Sequence, residues 1–504
     1  MAAILSSVIH TVRPDFKLLR KHRRQSPDRK GKQTIDNFAA EVCDLFQRPL
    51  ERKTLLAISN EIRAEYVAKL QCPLSISMLP SYQHELPTGE ERGDFLALDV
   101  GGSTFRIALV KLKGGSEGGG GGSTQIMRIC AFAIDRDVRN LKGQEFFDWM
   151  AQRIGDIIAE YNSVEWTEKT LAMGLAWSFP VEQTSQTSGK ILPMGKGFRA
   201  TDGVEGEDLS ELIMRSCKRQ GLSVEMKSIV NDSSATLLSQ AYRDRTTRIS
   251  LILGTGTNAA VYLPTSILAA EKFGDRPNSW HAAAKHVVVN TEMSMFGRQA
   301  LPVTRWDEEL NAKHPLPNFQ PLEYLATGRY LGEIVRLILL EAISKAELFG
   351  GEMPKSLEEP YGLDTHVLAT FESDTSPTMT NAISVWQAIH PLRSRPSLTD
   401  LSFIRSTSRL VSTRAAAYLA TALHALWCLR TEAEGLEPGE TTHVTIACNG
   451  TIVEKYPRLR SCCQEYLDEL CVLSGASKGA VKLEMAPESS ILGAAVAVAS
   501  MEGI

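Results

Sequence analysis

Twice in this chain an apolar run stops at a short turn of glycine and hydroxyl residues and then resumes, in "FLALDVGGSTFRIALVKL" and in "RISLILGTGTNAAVYLP". The flanking runs are short and carry β-branched residues, and the turns consist of residues that accept tight backbone, so each stretch predicts a strand-turn-strand hairpin. In the first, strands are expected at Phe95 to Val100 and Phe105 to Leu112. The fold must therefore hold two copies of one hairpin grammar, and this internal echo is the strongest organisational signal in the chain.

A glycine turn lets main-chain N–H groups come close to an anion, and Ser or Thr adds a donor without bulk. Two such turns in one chain suit a polyphosphate. Neither is a Walker A loop. The run Gly254-Thr255-Gly256-Thr257-Asn258-Ala259 satisfies a loose GxGxxA pattern, but a strand follows it where the dinucleotide motif requires a helix, which excludes a Rossmann reading.

Between the hairpins, "KSIVNDSSATLLSQ" puts a carboxylate, Asp232, at the mouth of a strand and directly before a helical pattern. Buried strands are also expected in "TLAMGLAWSFPV" and "MKSIVND", and an amphipathic helix in "EGEDLSELIMRSCKRQG". Helical periodicity runs through Gln33 to Ala68, Leu322 to Leu348 and Ser408 to Glu432. The chain closes with strand "HVTIAC", helix "YPRLRSCCQEYLDEL", strand "VKLEMA" and an Ala-rich helix. This alternation predicts an α/β architecture. The tract "GGSEGGGGGST" reads as a flexible surface loop between strands.

With 504 residues, 43% of them hydrophobic, the chain can bury more than one core, so two domains are expected rather than one. The 55 Lys and Arg against 59 Asp and Glu leave a net charge of -4 and no electrostatic footprint for nucleic acid. Nine scattered cysteines without metal spacing predict reduced thiols in an intracellular protein. Two glycosylation sequons, at Asn231 and Asn449, matter only in a secreted chain, and no signal peptide is read before them. No apolar run reaches the length of a membrane span. Residues 1–32 join a short apolar start to a strongly basic stretch. The expectation is a disordered basic tail, with a mitochondrial presequence, a membrane-surface anchor and a nuclear address as alternatives.

The order "LALDVGGSTFRIALV", "SFPVEQ", "GKGF", "IVNDSSATLLS", "LILGTGTNAAVY", "NTEM", "NGTIVEKYP" and "GAAVAVA" resembles the eukaryotic hexokinase family from about Thr34 to the C-terminus. The resemblance implies an α/β, two-lobed actin-like ATPase fold with mixed sheets flanked by helices and an interlobe active-site cleft. It implies a small lobe at 91–231 and a large lobe from 33–90 with 232–504. The implied activity is ATP-dependent transfer of the γ-phosphoryl group to the 6-hydroxyl of a hexose, with ATP and Mg²⁺ as cofactors. No direct side-chain ligand to metal is implied; Mg²⁺ would come with ATP, with Asp99 reaching it through water.

Carried over position by position, Asp232 matches the catalytic base and Lys196 a lysine beside the transferring phosphate. Ser178, Lys196, Asn231, Asp232, Asn258, Glu292 and Glu323 match sugar-binding positions. Asp99, Gly101, Gly102, Ser103, Thr104 and Arg106 match the first phosphate turn, and Gly254, Thr255, Gly256 and Thr257 the second. Gly450, Thr451 and Ser490 match the adenosine side. Each has a plainer reading: Asp232 as a helix N-cap, Lys196 as a solvated loop lysine, Glu292 as an exposed strand-end acid, Glu323 as a first-turn helix acid and Asn258 as a turn residue.

Departures from the family pattern bear on substrate. Trp-Thr-Lys-Gly-Phe becomes Met194-Gly195-Lys196-Gly197-Phe198, and the segment around "NTEM" also differs. These changes resemble the fungal hexokinase-like branch that includes N-acetylglucosamine kinases, so N-acetylglucosamine is the expected acceptor. Glucose, fructose or mannose is the alternative. The terminal Asp-Gly-Ser-Gly motif reads Glu488-Ser489-Ser490-Ile491, two glycines fewer, which raises a second alternative, a catalytically weak regulator of carbon-source response. Expected partners are a hexose or N-acetylhexosamine and no nucleic acid, with a membrane-surface or regulatory contact open to the basic N-terminus. The expected state is a monomer or dimer, cytoplasmic, with mitochondrial-surface or nuclear association open.

Overall fold

The computed structural model describes residues 33–115, 121–160, 170–194, 197–440 and 443–502. Lys196, residues 1–32 and the middle of the glycine tract lie outside them. In chain order the strands are β1 (Leu79–Pro80), β2 (Arg92–Val100), β3 (Thr104–Gly114), β4 (Ser123–Ala133), β5 (Leu171–Trp177), β6 (Val181–Gln183), β7 (Gly189–Ile191) and β8 (Val224–Val230), then β9 (Thr247–Leu253), β10 (Thr257–Pro264), β11 (His286–Asn290), β12 (Val444–Asn449) and β13 (Val481–Met485).

The hairpin echo extends to whole sheets. One sheet has the order β4-β3-β2-β5-β8, and the other, beyond the short edge strand β1, reads β11-β10-β9-β12-β13. In each, the first strand of a glycine hairpin sits at the centre. Two antiparallel neighbours extend on one side and two parallel strands on the other. The central strand β2 is buried from Phe95 through Val100, apolar but for Asp99, as a strand covered on both faces is. At the edge, β4 is mostly exposed or half-buried.

Two helices exchange places between the sheets. Helix Asp232–Arg243 leaves the first sheet after β8 and packs on β9 and β10 of the second. Helix Ser489–Glu502 follows β13 of the second and packs on β2 and β5 of the first. They also pack on each other, sharing a core of Ala235, Leu238, Ile491, Ala494 and Ala495 with Phe95 and Val110. Small residues permit the close approach. A Cβ at Gly493 would lie 1.9 Å from the Ala235 carbonyl oxygen, and a helix backbone cannot yield as a flexible side chain can. Gly493→Ala is therefore expected to cost about 1–3 kcal/mol by overpacking and, by shifting the helix that begins at Asp232, to lower turnover even where the protein stays folded. Urea unfolding and kcat measured on the same preparation check this; wild-type values for both would contradict the crossing as the reason for glycine.

The chain divides into two compact units, Met1–Pro49 with Gly332–Val411, and Leu50–Leu331 with Ser412–Ile504. Among the described residues the first is helical and holds a buried pair in which Arg336 meets both oxygens of Glu333 at 2.7 Å. Both large sheets lie in the second unit. The helical pattern predicted from Leu322 to Leu348 is two helices, Pro321–Ala326 and Gly328–Ala346, broken at Thr327. The pattern from Ser408 to Glu432 belongs to a longer helix, Leu398–Ala433. All nine cysteines are free, and no helix among the described residues is long and apolar enough to cross a membrane.

Candidate active site

The two glycine turns are braced alike. In the first, Gly101 N–H donates to Thr104 O at 3.0 Å, Ile134 N–H to Ser103 O at 2.9 Å, and Arg139 Nη2 to Gly102 O at 3.0 Å. In the second, Gly254 N–H donates to Gly256 O at 2.9 Å, Gly328 N–H to Gly254 O at 3.0 Å, and Thr327 Oγ1 to Thr255 O at 2.9 Å. A trans peptide is planar, so a carbonyl held on one side turns the next residue's N–H to the other. The N–H groups of Gly102 and Ser103, and of Thr255 and Gly256, donate to no acceptor among the described residues. Each turn is thus a concavity of open donors suited to an anion. The break at Thr327 has a purpose in this geometry, since it frees a hydroxyl and an amide to hold the second turn from behind.

Asp232 is the first residue of its helix, and the N-cap is Asn231, whose Oδ1 accepts from Ser233 N at 2.9 Å and Ser233 Oγ at 2.7 Å. The cap reading considered for Asp232 therefore belongs to its neighbour. Asp232 Oδ1 accepts from Ser233 N at 2.8 Å, and Oδ2 accepts from Ser178 Oγ at 3.0 Å. Ser178 follows β5, with its own N–H on Val100 O at the entry to the first glycine turn. The carboxylate is thus aimed by two donors and faces the positive end of its own helix.

Asn258 on β10, Asn290 at the end of β11 and Glu292 form a connected polar group. Asn258 Nδ2 donates to Asn290 Oδ1 at 2.9 Å and to Glu292 Oε1 at 3.4 Å, and Asn290 Nδ2 donates to Glu292 Oε1 at 2.9 Å. Glu292 takes a left-handed backbone, φ 51°, rare for a non-glycine residue. Burial pushes its carboxyl up from the ordinary glutamate range; Asn290 and Asn258 draw it back, and the negative charge of Asp232 raises it further. Glu292 is therefore no exposed strand-end acid: it and Asp232 share one electrostatic neighbourhood. Glu323 does sit in the first turn of its helix, and its Oε2 also accepts from Thr257 N at 3.1 Å. A Cβ at Gly256 would lie 2.6 Å from that oxygen, so a side chain there would displace the Glu323 carboxylate from Thr257 N.

Beside the first glycine turn, Asp99 Oδ2 accepts from Arg106 Nε at 2.8 Å and Nη2 at 2.5 Å, and Arg106 Nη1 reaches Glu488 Oε2 at 2.7 Å. Burial raises the Asp99 carboxyl, Arg106 pulls it back and Glu488 adds to the rise. Thr104 opens β3 directly after the turn, and Thr451 begins a short helix after Gly450. Thr451 Oγ1 stands 3.7 Å from where a Gly254 Cβ would be, which sets it against the second turn. Ser490 is buried. The two side chains that replace family glycines point into the core: Ser489 Oγ bonds Thr236 Oγ1 at 2.8 Å and takes the Asn449 amide, and Ile491 is fully buried.

The first glycine turn and Ser178 thus meet at Val100, Ser178 reaches Asp232, and Glu323 lies on the second turn. The sequence assigns no site role to Asn290, Glu488, Thr327, Gly328 or Arg139. A hydroxyl and a glycine interrupting a helical period at Thr327-Gly328 was the one available signal.

Two hexokinase family models match the chain, over residues 39–242 and 248–500. Hexokinase-2 of Oryza sativa subsp. japonica is 30% identical over 437 residues, covering 84% of this chain and 83% of that protein. Hexokinase-1 of Spinacia oleracea is 31% identical over 429 residues, covering 84% and 82%. Among solved structures, the Schistosoma mansoni hexokinase complexed with glucose superposes with a TM-score of 0.76 at 26% identity, covering 93% of this chain and all of that one. The repeated sheets and the crossed helices are those of the actin-like ATPase fold, and the protein is an ATP-dependent sugar kinase. Within that class the chain belongs to the hexokinase family.

Proposed function

We propose that the protein transfers the γ-phosphoryl group of ATP to the 6-hydroxyl of a hexose, with Asp232 as the base and glucose as the preferred acceptor. The observation that carries this is the Asp232 carboxylate, held by Ser178 and Ser233 and flanked by the Asn258, Asn290 and Glu292 group. Amides and carboxylates of that kind fix sugar hydroxyls by accepting or donating one hydrogen each, and the carboxylate nearest the reacting oxygen takes its proton. The open N–H groups of Gly102, Ser103, Thr255 and Gly256 are the donors for phosphate oxygens, with Arg106 as a fixed cation beside them. Asp99 Oδ2 is engaged by Arg106, which leaves Oδ1 to meet the water shell of a Mg²⁺ carried by ATP. That ion would neutralise charge on the transferring phosphates.

Glucose is favoured because Met194, the most conspicuous departure from the family pattern, is buried in the apolar cluster with Phe179 and Phe198. The exchange of Trp for Met is then repacking of a core, and it opens no evident space for an acetamido group. N-acetylglucosamine remains the second reading, on the loss of a threonine at Gly195, which lies outside the described residues. The burial of Ser489 and Ile491 supports a working nucleotide site over a weak one, since neither side chain stands in the way of ATP. Coupled ATP turnover by the purified chain on glucose, mannose, fructose and N-acetylglucosamine tests all three readings. Turnover led by glucose is expected. Exclusive use of the acetamido sugar would reverse the acceptor assignment, and no turnover on any would favour a regulator.

A further inference from the structure

The carbonyls of the two phosphate turns are held mainly by backbone amides and by a threonine hydroxyl. Gly102 O is the exception, because its partner is the long side chain of Arg139, thirty-seven residues on. That residue lies in the last turn of the short helix Arg136–Asn140. Its guanidinium carbon stands 5.6 Å from the centroid of the Phe198 ring, and its own carbonyl accepts from Arg199 N at 2.9 Å. One side chain thus ties the first phosphate turn to the segment that follows Lys196.

The Gly102 carbonyl and the Ser103 N–H belong to one planar peptide. With Arg139 holding the carbonyl to the rear, the Ser103 N–H faces forward. Glycine at 102 gives little resistance to a peptide flip, so without that hold the turn can present a carbonyl oxygen, which repels a phosphate, in place of a donor. We propose that Arg139 is the positioning residue of the first phosphate turn and sets the affinity of the chain for ATP without touching it. This rests on the kinase reading of the site.

Arg139 lines an open cavity of about 460 Å³ together with Ile134, Asp135, Arg136, Asn140 and Gly197, so a small cation can enter from solvent if the side chain is cut back.

The test measures binding as well as turnover on the full chain. Calorimetry with the non-hydrolysable analogue AMP-PNP and Mg²⁺ should show Arg139→Ala weakened about ten- to a hundred-fold, the span expected for a hydrogen bond from a charged donor. Glucose affinity measured without nucleotide should change by less than about three-fold. Millimolar guanidinium should restore part of the lost nucleotide affinity in the variant and do nothing for wild type, a response that a merely structural role does not produce. Arg139→Met keeps the stem over Phe198 and removes only the donors, and it carries the same expectations if the alanine variant folds poorly. Unchanged nucleotide affinity, an equal loss of glucose affinity, or no recovery with guanidinium would each overturn the assignment. A wild-type chain that binds AMP-PNP yet turns over no sugar would defeat the kinase reading alone; failure to bind the analogue would defeat both.

Discussion

Replacing Asp232 with alanine is expected to lower kcat roughly 10²–10⁴-fold, the range for loss of a positioned general base, while sugar affinity falls far less. The asymmetry follows from the geometry. In the proposed site Asp232 is one of several groups for holding the sugar, beside Asn258, Asn290 and Glu292, but it is the one carboxylate in the group oriented by Ser178 and by its own helix end. Its contribution grows as the attacking oxygen loses its proton, so it appears in turnover more than in binding. Asp232→Asn separates the two roles. The amide oxygen can still accept from Ser233 N while its Nδ2 donates to the Ser178 hydroxyl oxygen, yet it cannot take a proton at neutral pH, so its turnover should fall nearly as far as that of alanine with a smaller change in sugar affinity. Steady-state kinetics with calorimetric sugar binding on both variants checks this. Near-normal turnover in Asp232→Ala would remove the residue from the base role.

The second large effect concerns stability. Arg414 and Asp307 form a fully buried pair, with Nη1 on Oδ2 at 2.6 Å and Nη2 on Oδ1 at 2.7 Å. Asp307 also closes a capping box, since Oδ2 accepts from Thr304 N and Thr304 Oγ1, each at 2.7 Å. Arg414→Met leaves a carboxylate in the core with its cation removed, and is expected to cost about 3–5 kcal/mol. Adding Asp307→Asn to that variant should recover part of the loss, because the amide oxygen keeps the cap and no buried charge remains. Urea unfolding of wild type, single and double variants reads the difference. A double variant less stable than Arg414→Met would show that the cost lies in packing and not in the stranded charge.

Much of this molecule is local enough to read without coordinates. Strand β2, the hairpin turns at Gly101 and Gly254, and the strand-to-helix change at Asp232 are each set by residues within a few positions of one another. Period and turn chemistry therefore report them directly. Glu323 was legible as a first-turn acid but its bond to Thr257 was not, because 66 positions separate the two. Met194 was legible as a departure from the family pattern, but its surroundings were not. A methionine in place of tryptophan looks the same in the sequence whether it faces a ligand or a core, and only its contact with the Phe179 and Phe198 cluster distinguishes them. The same holds for Ser489 and Ile491, whose loss of glycine matters only if the side chains face the nucleotide.

The sequence by itself determined that two glycine-hydroxyl hairpins exist, that a carboxylate stands between them, and that the chain resembles the hexokinase family. The tertiary structure decided how those turns are made to face outward. Arg139, Thr327 and Gly328 hold the carbonyls of turns that lie 37 to 74 positions away, and Asn290 joins Asn258 to Glu292 across two strands. Hydrogen bonds that span such separations are fixed by sheet register and helix packing, and residue spacing carries no record of them.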